Sequence, residues 1–147
     1  MSLPVGGRVA CIDFGTVRIG LALSDERRIL ASPLPYVLAG KTLEVSARGI
    51  LEALKPHAPR ILLLGLPLHL NGRESPLSVQ VRELAEHLRG CSALPVVLWD
   101  ERLSTAQVER ALKELDVRRK QRKEVVDSLS AAALLQSYLE LGLGSIE

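Results

Sequence analysis

The stretch Arg8-Val9-Ala10-Cys11-Ile12-Asp13-Phe14-Gly15-Thr16-Val17-Arg18-Ile19-Gly20-Leu21-Ala22-Leu23-Ser24 decides the fold. Arg8 to Phe14 and Val17 to Ser24 are two apolar runs of strand length, and Gly15-Thr16 between them is a hairpin signal. Asp13 stands near the end of the first run, where a carboxylate has no packing use. On an interior strand such a group is costly unless it is solvated, paired or bound to a cation. Leu30 to Leu38 extends the hairpin into a third strand, which Pro33 and Pro35 confine to an edge or an irregular course. The chain therefore opens as a β-meander.

Downstream the period changes. Leu43, Ala47, Ile50, Leu51 and Leu54 recur at helical spacing until Pro56 stops them. Ile61-Leu62-Leu63-Leu64 reads as a strand buried on both faces, ended by Gly65-Leu66-Pro67 and a loop with Asn71-Gly72. Ser75-Pro76 opens a second helix that runs through Val79, Val81, Leu84, Ala85 and Leu88 to a stop at Gly90. Pro95 to Trp99 is the next buried strand and ends in Asp100-Glu101-Arg102. Ser104, Thr105 or both could cap a helix carrying Val108, Ala111, Leu112 and Leu115. Val125 to Leu141 closes the chain as a long helix, apolar over most of its circumference. The order βββ-α-β-α-β-α-α implies an α/β fold, a mixed sheet with helices on its faces. With 147 residues and neither repeat nor linker, residues 1–147 are expected to form one domain.

Two further acids resemble Asp13 in setting: Glu101, with Asp100 beside it, at the end of the last strand, and Asp127 in Val125-Val126-Asp127-Ser128. In open α/β sheets functional groups gather at strand ends where the connectivity reverses, so the three suggest one cleft and a divalent cation, Mg²⁺ or Mn²⁺. Plainer roles compete: a turn residue for Asp13, a helix cap for Asp127, an ion pair with Arg102 for Glu101. Successive strand side chains point to opposite faces, so only one of Asp100 and Glu101 can face Asp13. A strand apolar on both faces does not say which.

Aromatic residues are only 3% of the chain, which disfavours a single-strand binder built on stacking. Lys and Arg total 19 against 17 Asp and Glu, but Arg118, Arg119, Lys120, Arg122 and Lys123 crowd the approach to Asp127. A basic run there suits a phosphate backbone as well as it suits a solvated surface. No apolar run spans a bilayer, and Met1-Ser2-Leu3-Pro4 lacks the pattern of a signal peptide, so the expected location is cytoplasmic. Cys11 and Cys91 are too few for a disulfide framework or zinc site, and His57, His69 and His87 lack ligand spacing. His57 and His87 are expected to face solvent; His69 lies in a loop that could meet a substrate.

Asp13 to Asp25, Gly65-Leu66-Pro67-Leu68 with Asn71-Gly72, Asp100 to Thr105, and Asp127-Ser128-Leu129-Ser130-Ala131-Ala132 together resemble the YqgF family of bacterial ribonuclease H-like proteins. The likeness runs from about Arg8 to Leu139, with the motifs in order. That family is named for pre-16S rRNA nucleases and, as RuvX, for Holliday junction resolvases. The resemblance implies a ribonuclease H-like mixed five-stranded sheet with helices on both faces. It implies a metal-dependent endonuclease in which Asp13, Glu101 and Asp127 hold two Mg²⁺ or Mn²⁺ ions with nucleic acid bound, and it favours Glu101 over Asp100. Arg18 and Arg102, close to the acids, join the basic stretch as candidate phosphate contacts. Two positions depart from the pattern: Val17 replaces a basic residue that often precedes Arg-Ile-Gly, and Ser104-Thr105 replaces two threonines.

The expected substrate is precursor rRNA trimmed at its 5′ end or, alternatively, branched DNA; a symmetric junction would suit a homodimer. Two rivals remain in view. Asp13-Phe14-Gly15-Thr16 on a hairpin also resembles the phosphate loop of the actin, Hsp70 and sugar-kinase group, which bind nucleotide between two domains where this chain supplies one. A non-catalytic nucleic-acid-binding domain would have lost acids that are all present here.

Overall fold

The computed structural model describes residues 3–103 and 128–142. Its centre is β1 (Val9–Asp13), whose first four residues are fully buried because both faces of the strand are covered. β2 (Arg18–Ser24) returns antiparallel to β1, and β3 (Ala31–Leu38) runs antiparallel to β2. β4 (Ile61–Leu66) and β5 (Val96–Asp100) continue the other side in parallel, giving the order β3-β2-β1-β4-β5. This is the expected five-stranded mixed sheet. β5 departs from the reading as a strand buried on both faces: all five of its residues are half-buried, as its outermost place in that order dictates.

The alternation of side chains sorts the core into two layers. Ala10, Ile12, Leu62 and Leu64 face α1 (Leu43–Leu54) and α2 (Pro76–Cys91). Val9, Cys11, Ile61 and Leu63 face α3 (Leu129–Ser137). Thr42 caps α1, its hydroxyl accepting from Val45 N at 3.1 Å, and Pro56 then falls in a 3₁₀ turn, Lys55–His57. α2 begins at the expected Ser75-Pro76, where Ser75 and Ser78 exchange hydrogen bonds between hydroxyl and backbone N–H. Its end differs from expectation, because Gly90 stays inside the helix instead of stopping it. It continues to Cys91 and stops at Ser92, whose hydroxyl and backbone N–H both donate to Leu88 O.

α3 is buried on nearly all sides, which suits the all-round apolar character read from its sequence. Two polar side chains lock it to the sheet. Between the pairs Ile19↔Val37 and Leu21↔Leu34, Pro35 and Tyr36 of β3 oppose Gly20 alone, a β-bulge; there the Leu21 N–H donates to Ser128 Oγ at 3.0 Å. At the other end Gln136 accepts from Ala31 N at 2.9 Å and donates to Ile29 O at 3.0 Å. A five-residue π-helical turn, Tyr138–Gly142, follows α3, and the Tyr138 ring meets Trp99 of β5 edge-on at 5.3 Å.

Candidate active site

Asp13 is the last residue of β1 and shares the parity of Val9 and Cys11, so its side chain is on the α3 face. Gly15 closes the turn that follows, and a Cβ on it would lie 2.4 Å from Arg18 O. On β5, Val97 and Trp99 face α3, and Glu101, two residues on in a 3₁₀ turn, keeps that direction. β4 runs between the two acids and presents Gly65 to the same face. A Cβ there would lie 2.9 Å from Glu101 Oε2 and 2.6 Å from Leu134 Cδ1 of α3. The missing side chain is therefore the space that Glu101 fills. On the other flank Asp13 pairs with Gly20, so glycines border it on both neighbouring strands.

Asp100 is engaged elsewhere. Its carboxylate accepts from Arg102 Nε at 3.0 Å, Arg102 Nη2 at 2.6 Å and the Arg102 backbone N–H at 2.9 Å, and the Arg102 side chain holds its carboxyl below the usual range. Arg102 Nη1 also donates to Leu70 O at 3.1 Å, tethering the loop after β4 to the end of β5. That loop closes on itself through Gly72, at φ 87°, whose N–H donates to His69 O.

The electrostatics of the two acids are coupled. Burial pushes the Asp13 carboxyl up to about 6. Burial, then the charge of Asp13, then that of Asp100, push Glu101 up to about 7. The Cys11 thiol beneath them is raised too, by burial and by both charges, and stays protonated. Two partly buried carboxylates, both raised by burial and Glu101 also by the charge of Asp13, form an oxygen-lined site that a hard cation would relieve.

Among the described residues no third His, Cys, Asp or Glu joins this pair. Asp127, Arg118, Arg119, Lys120, Arg122 and Lys123 lie outside the described residues, as does the helix expected after Ser104. Arg18 is exposed on the α3 face of β2, its guanidinium 5.3 Å from the centre of the Tyr36 ring. His69 and His87 are exposed, whereas His57, expected in solvent, is half-buried. Gly65 and Ser128 were not singled out as working residues in the sequence. An isolated glycine inside an apolar strand is the signal that could have marked Gly65, since it often denotes close approach of another group.

Two solved structures share this fold. RuvC of T. thermophilus, solved with a Holliday junction substrate, matches with a TM-score of 0.57 at 18% identity, covering 92% of this chain and 96% of that one. The fowlpox virus Holliday junction resolvase matches at 0.54 and 14% identity, covering 90% and 98%. The architecture is thus a ribonuclease H-like fold. Within that class the family model described as "RuvX: Holliday junction resolvase" matches residues 7–141. A protein of Protochlamydia amoebophila named "Putative pre-16S rRNA nuclease" is 42% identical over 143 residues, 93% of this chain and 95% of its own length. The chain belongs to the RuvX family of nucleases.

Proposed function

We propose that the protein is a divalent-metal-dependent endonuclease that processes the 5′ end of pre-16S rRNA, with Asp13, Glu101 and Asp127 as the metal-holding carboxylates. The observation carrying this reading is that Glu101 lies over Gly65 on the face Asp13 also takes and feels the charge of Asp13, a pairing of buried acids that favours a cation. Bound there, one or two Mg²⁺ or Mn²⁺ ions would activate the attacking water and stabilise the leaving oxygen of a phosphodiester. Asp13 would supply an oxygen from the central strand of the sheet, buried on both faces, and Glu101 another from the turn that Asp100 and Arg102 hold in shape. Asp127 is one peptide bond from Ser128, which is fixed to β2 at Leu21, the residue after Asp13's partner Gly20.

Arg18 lies on the same face as Asp13, placed for a phosphate beside the cut. Arg102, clamped to Asp100 and Leu70, reaches nucleic acid only with its outer edge. Arg118, Arg119, Lys120, Arg122 and Lys123 supply backbone affinity without sequence preference. No helix among the described residues is long and apolar enough to cross a membrane, and we place the activity in the cytoplasm, carried by one domain of 147 residues.

The pre-rRNA substrate follows the naming of the relatives; the description of the family model favours a second reading, branched DNA. The deciding experiment offers a pre-16S 5′ leader, a four-way DNA junction and linear controls with Mg²⁺ or Mn²⁺. Preferential cleavage of the leader, lost in Asp13→Asn, is expected. Preferential cleavage of the junction, in symmetric pairs of nicks by a dimer, would establish the second reading instead.

A further inference from the structure

At the end of the sheet remote from Asp13 and Glu101, the start of β1 and the end of β2 enclose a concavity of about 570 Å³. It opens on the α1 side of the sheet, walled by Leu23 and Leu34 of that core layer, whereas Asp13 faces α3. Arg8, Arg27 and His57 line it. Arg8 Nε is shielded from solvent with no hydrogen-bond partner, and among the described residues no hydrogen bond or ion pair engages the side chain of Arg27 or His57. A buried donor without an acceptor is costly, and native structures rarely leave one unused.

Asp25, the acid in the lining, does not answer them. Asp25 accepts from Ile29 N at 2.7 Å and Leu30 N at 2.9 Å to shape the β2–β3 turn. Arg28, by contrast, turns away and donates to Gly6 O and Gly7 O. The rim is apolar: Ile29 is 55% exposed and Leu30 is 62% exposed. Unanswered basic groups beside an apolar shelf suit an anion with a flat or apolar body. Two guanidinium forks suit phosphate better than carboxylate alone would require.

We propose that this concavity is a second, non-catalytic phosphate subsite, taking a nucleotide-sized anion with its phosphate between Arg8 and Arg27 and its body against Leu30 and Leu34. The phosphate comes from a free nucleotide or from the end of a nucleic-acid strand. The proposal is independent of which substrate the carboxylates cut.

Calorimetric titration of the full chain in EDTA tests it, with adenosine 5′-monophosphate, adenosine, and a short oligonucleotide with and without a 5′ phosphate as probes. The monophosphate should bind and adenosine should not. Arg27→Ala and His57→Ala should each weaken binding about tenfold, as loss of a charge-assisted hydrogen bond implies, with the melting temperature unchanged. A phosphorylated oligonucleotide binding much more tightly than the mononucleotide identifies a strand end as the source; equal affinities identify a free nucleotide. Absence of binding at millimolar monophosphate overturns the subsite. So does binding that responds to Asp13→Asn and not to Arg27→Ala, which would put the nucleotide at the carboxylates.

Discussion

Gly65→Ala is a one-carbon perturbation aimed at Glu101. The added methyl would lie 2.9 Å from Glu101 Oε2, 3.1 Å from Glu101 Cγ and 2.6 Å from Leu134 Cδ1. Ordinary contact needs about 3.5 Å or more, so the Glu101 side chain must withdraw by roughly 0.6 Å and the Leu134 methyl by roughly 0.9 Å. Glu101 is half-buried and can swing its carboxylate, whereas Leu134 is packed in the α3 layer and gives way less easily. The strain should be about 1–3 kcal/mol, partly offset by about 0.5–1 kcal/mol from replacing a glycine within a strand. Fold stability should therefore change modestly. A catalytic group displaced by close to 1 Å can cost about 10²-fold in rate. Single-turnover cleavage at saturating nucleic acid should fall by roughly one to two orders of magnitude, while the dissociation constant measured without divalent metal stays near that of the wild type. Leu134→Ala combined with Gly65→Ala separates the two contacts, because it removes the clash with α3 and leaves the one with Glu101. If Gly65→Ala cleaves like the wild type, Glu101 does not depend on the space over Gly65. If the double variant recovers full activity, the effect passes through α3, and the reasoning about Glu101 is refuted.

Glu101→Gln should abolish cleavage, whereas Asp100→Asn should leave measurable activity and mainly loosen the loop around Leu70, detectable as faster proteolysis there; the reverse ranking would assign the metal-facing role to Asp100. Both site acids have folded-state values above their ordinary 3.8 and 4.5, so the metal-free protein is most stable where both are protonated and loses stability as pH rises from about 4 through about 7. Thermal melts in EDTA should show that decline, Asp13→Asn should flatten it, and Mn²⁺ should reverse it near neutral pH; a melting temperature that rises with pH over this window would contradict the burial that raises both values. Ser128→Ala leaves the Leu21 N–H without its acceptor in a buried place and should cost about 1–3 kcal/mol in chemical denaturation. A cost below about 0.5 kcal/mol would mean that water or a backbone group replaces the hydroxyl.

The sheet was legible because its apolar runs are short, uninterrupted and bounded by strong punctuation. α1 from Leu43 to Leu54 and the start of α2 at Ser75-Pro76 follow directly from apolar spacing and capping chemistry. The end of α2 was not, since a glycine can stop a helix or sit within one, and only the double use of Leu88 O by Ser92 decides it. The choice between Asp100 and Glu101 needed three dimensions as well. β5 is apolar on both sides, so its period is silent, and what separates the two acids is the Arg102 side chain folding back on one of them. The resemblance favours Glu101, and in the structure Glu101 lies over Gly65 while Asp100 is held by Arg102. Gly65 escaped notice because its contribution is an absent atom, which sequence patterns record only as an interruption.

The hydrogen bond from Leu21 to Ser128 joins residues 107 positions apart, and Gln136 reaches Ala31 across 105. Such contacts close late, since the chain between them must surrender its freedom first. During synthesis β1 through β3 emerge with Asp13 in place long before α3 exists to cover that face. The order of translation therefore sets the order of assembly: the sheet face that carries Asp13 stays uncovered until Ser128 and Gln136 bring α3 down onto it.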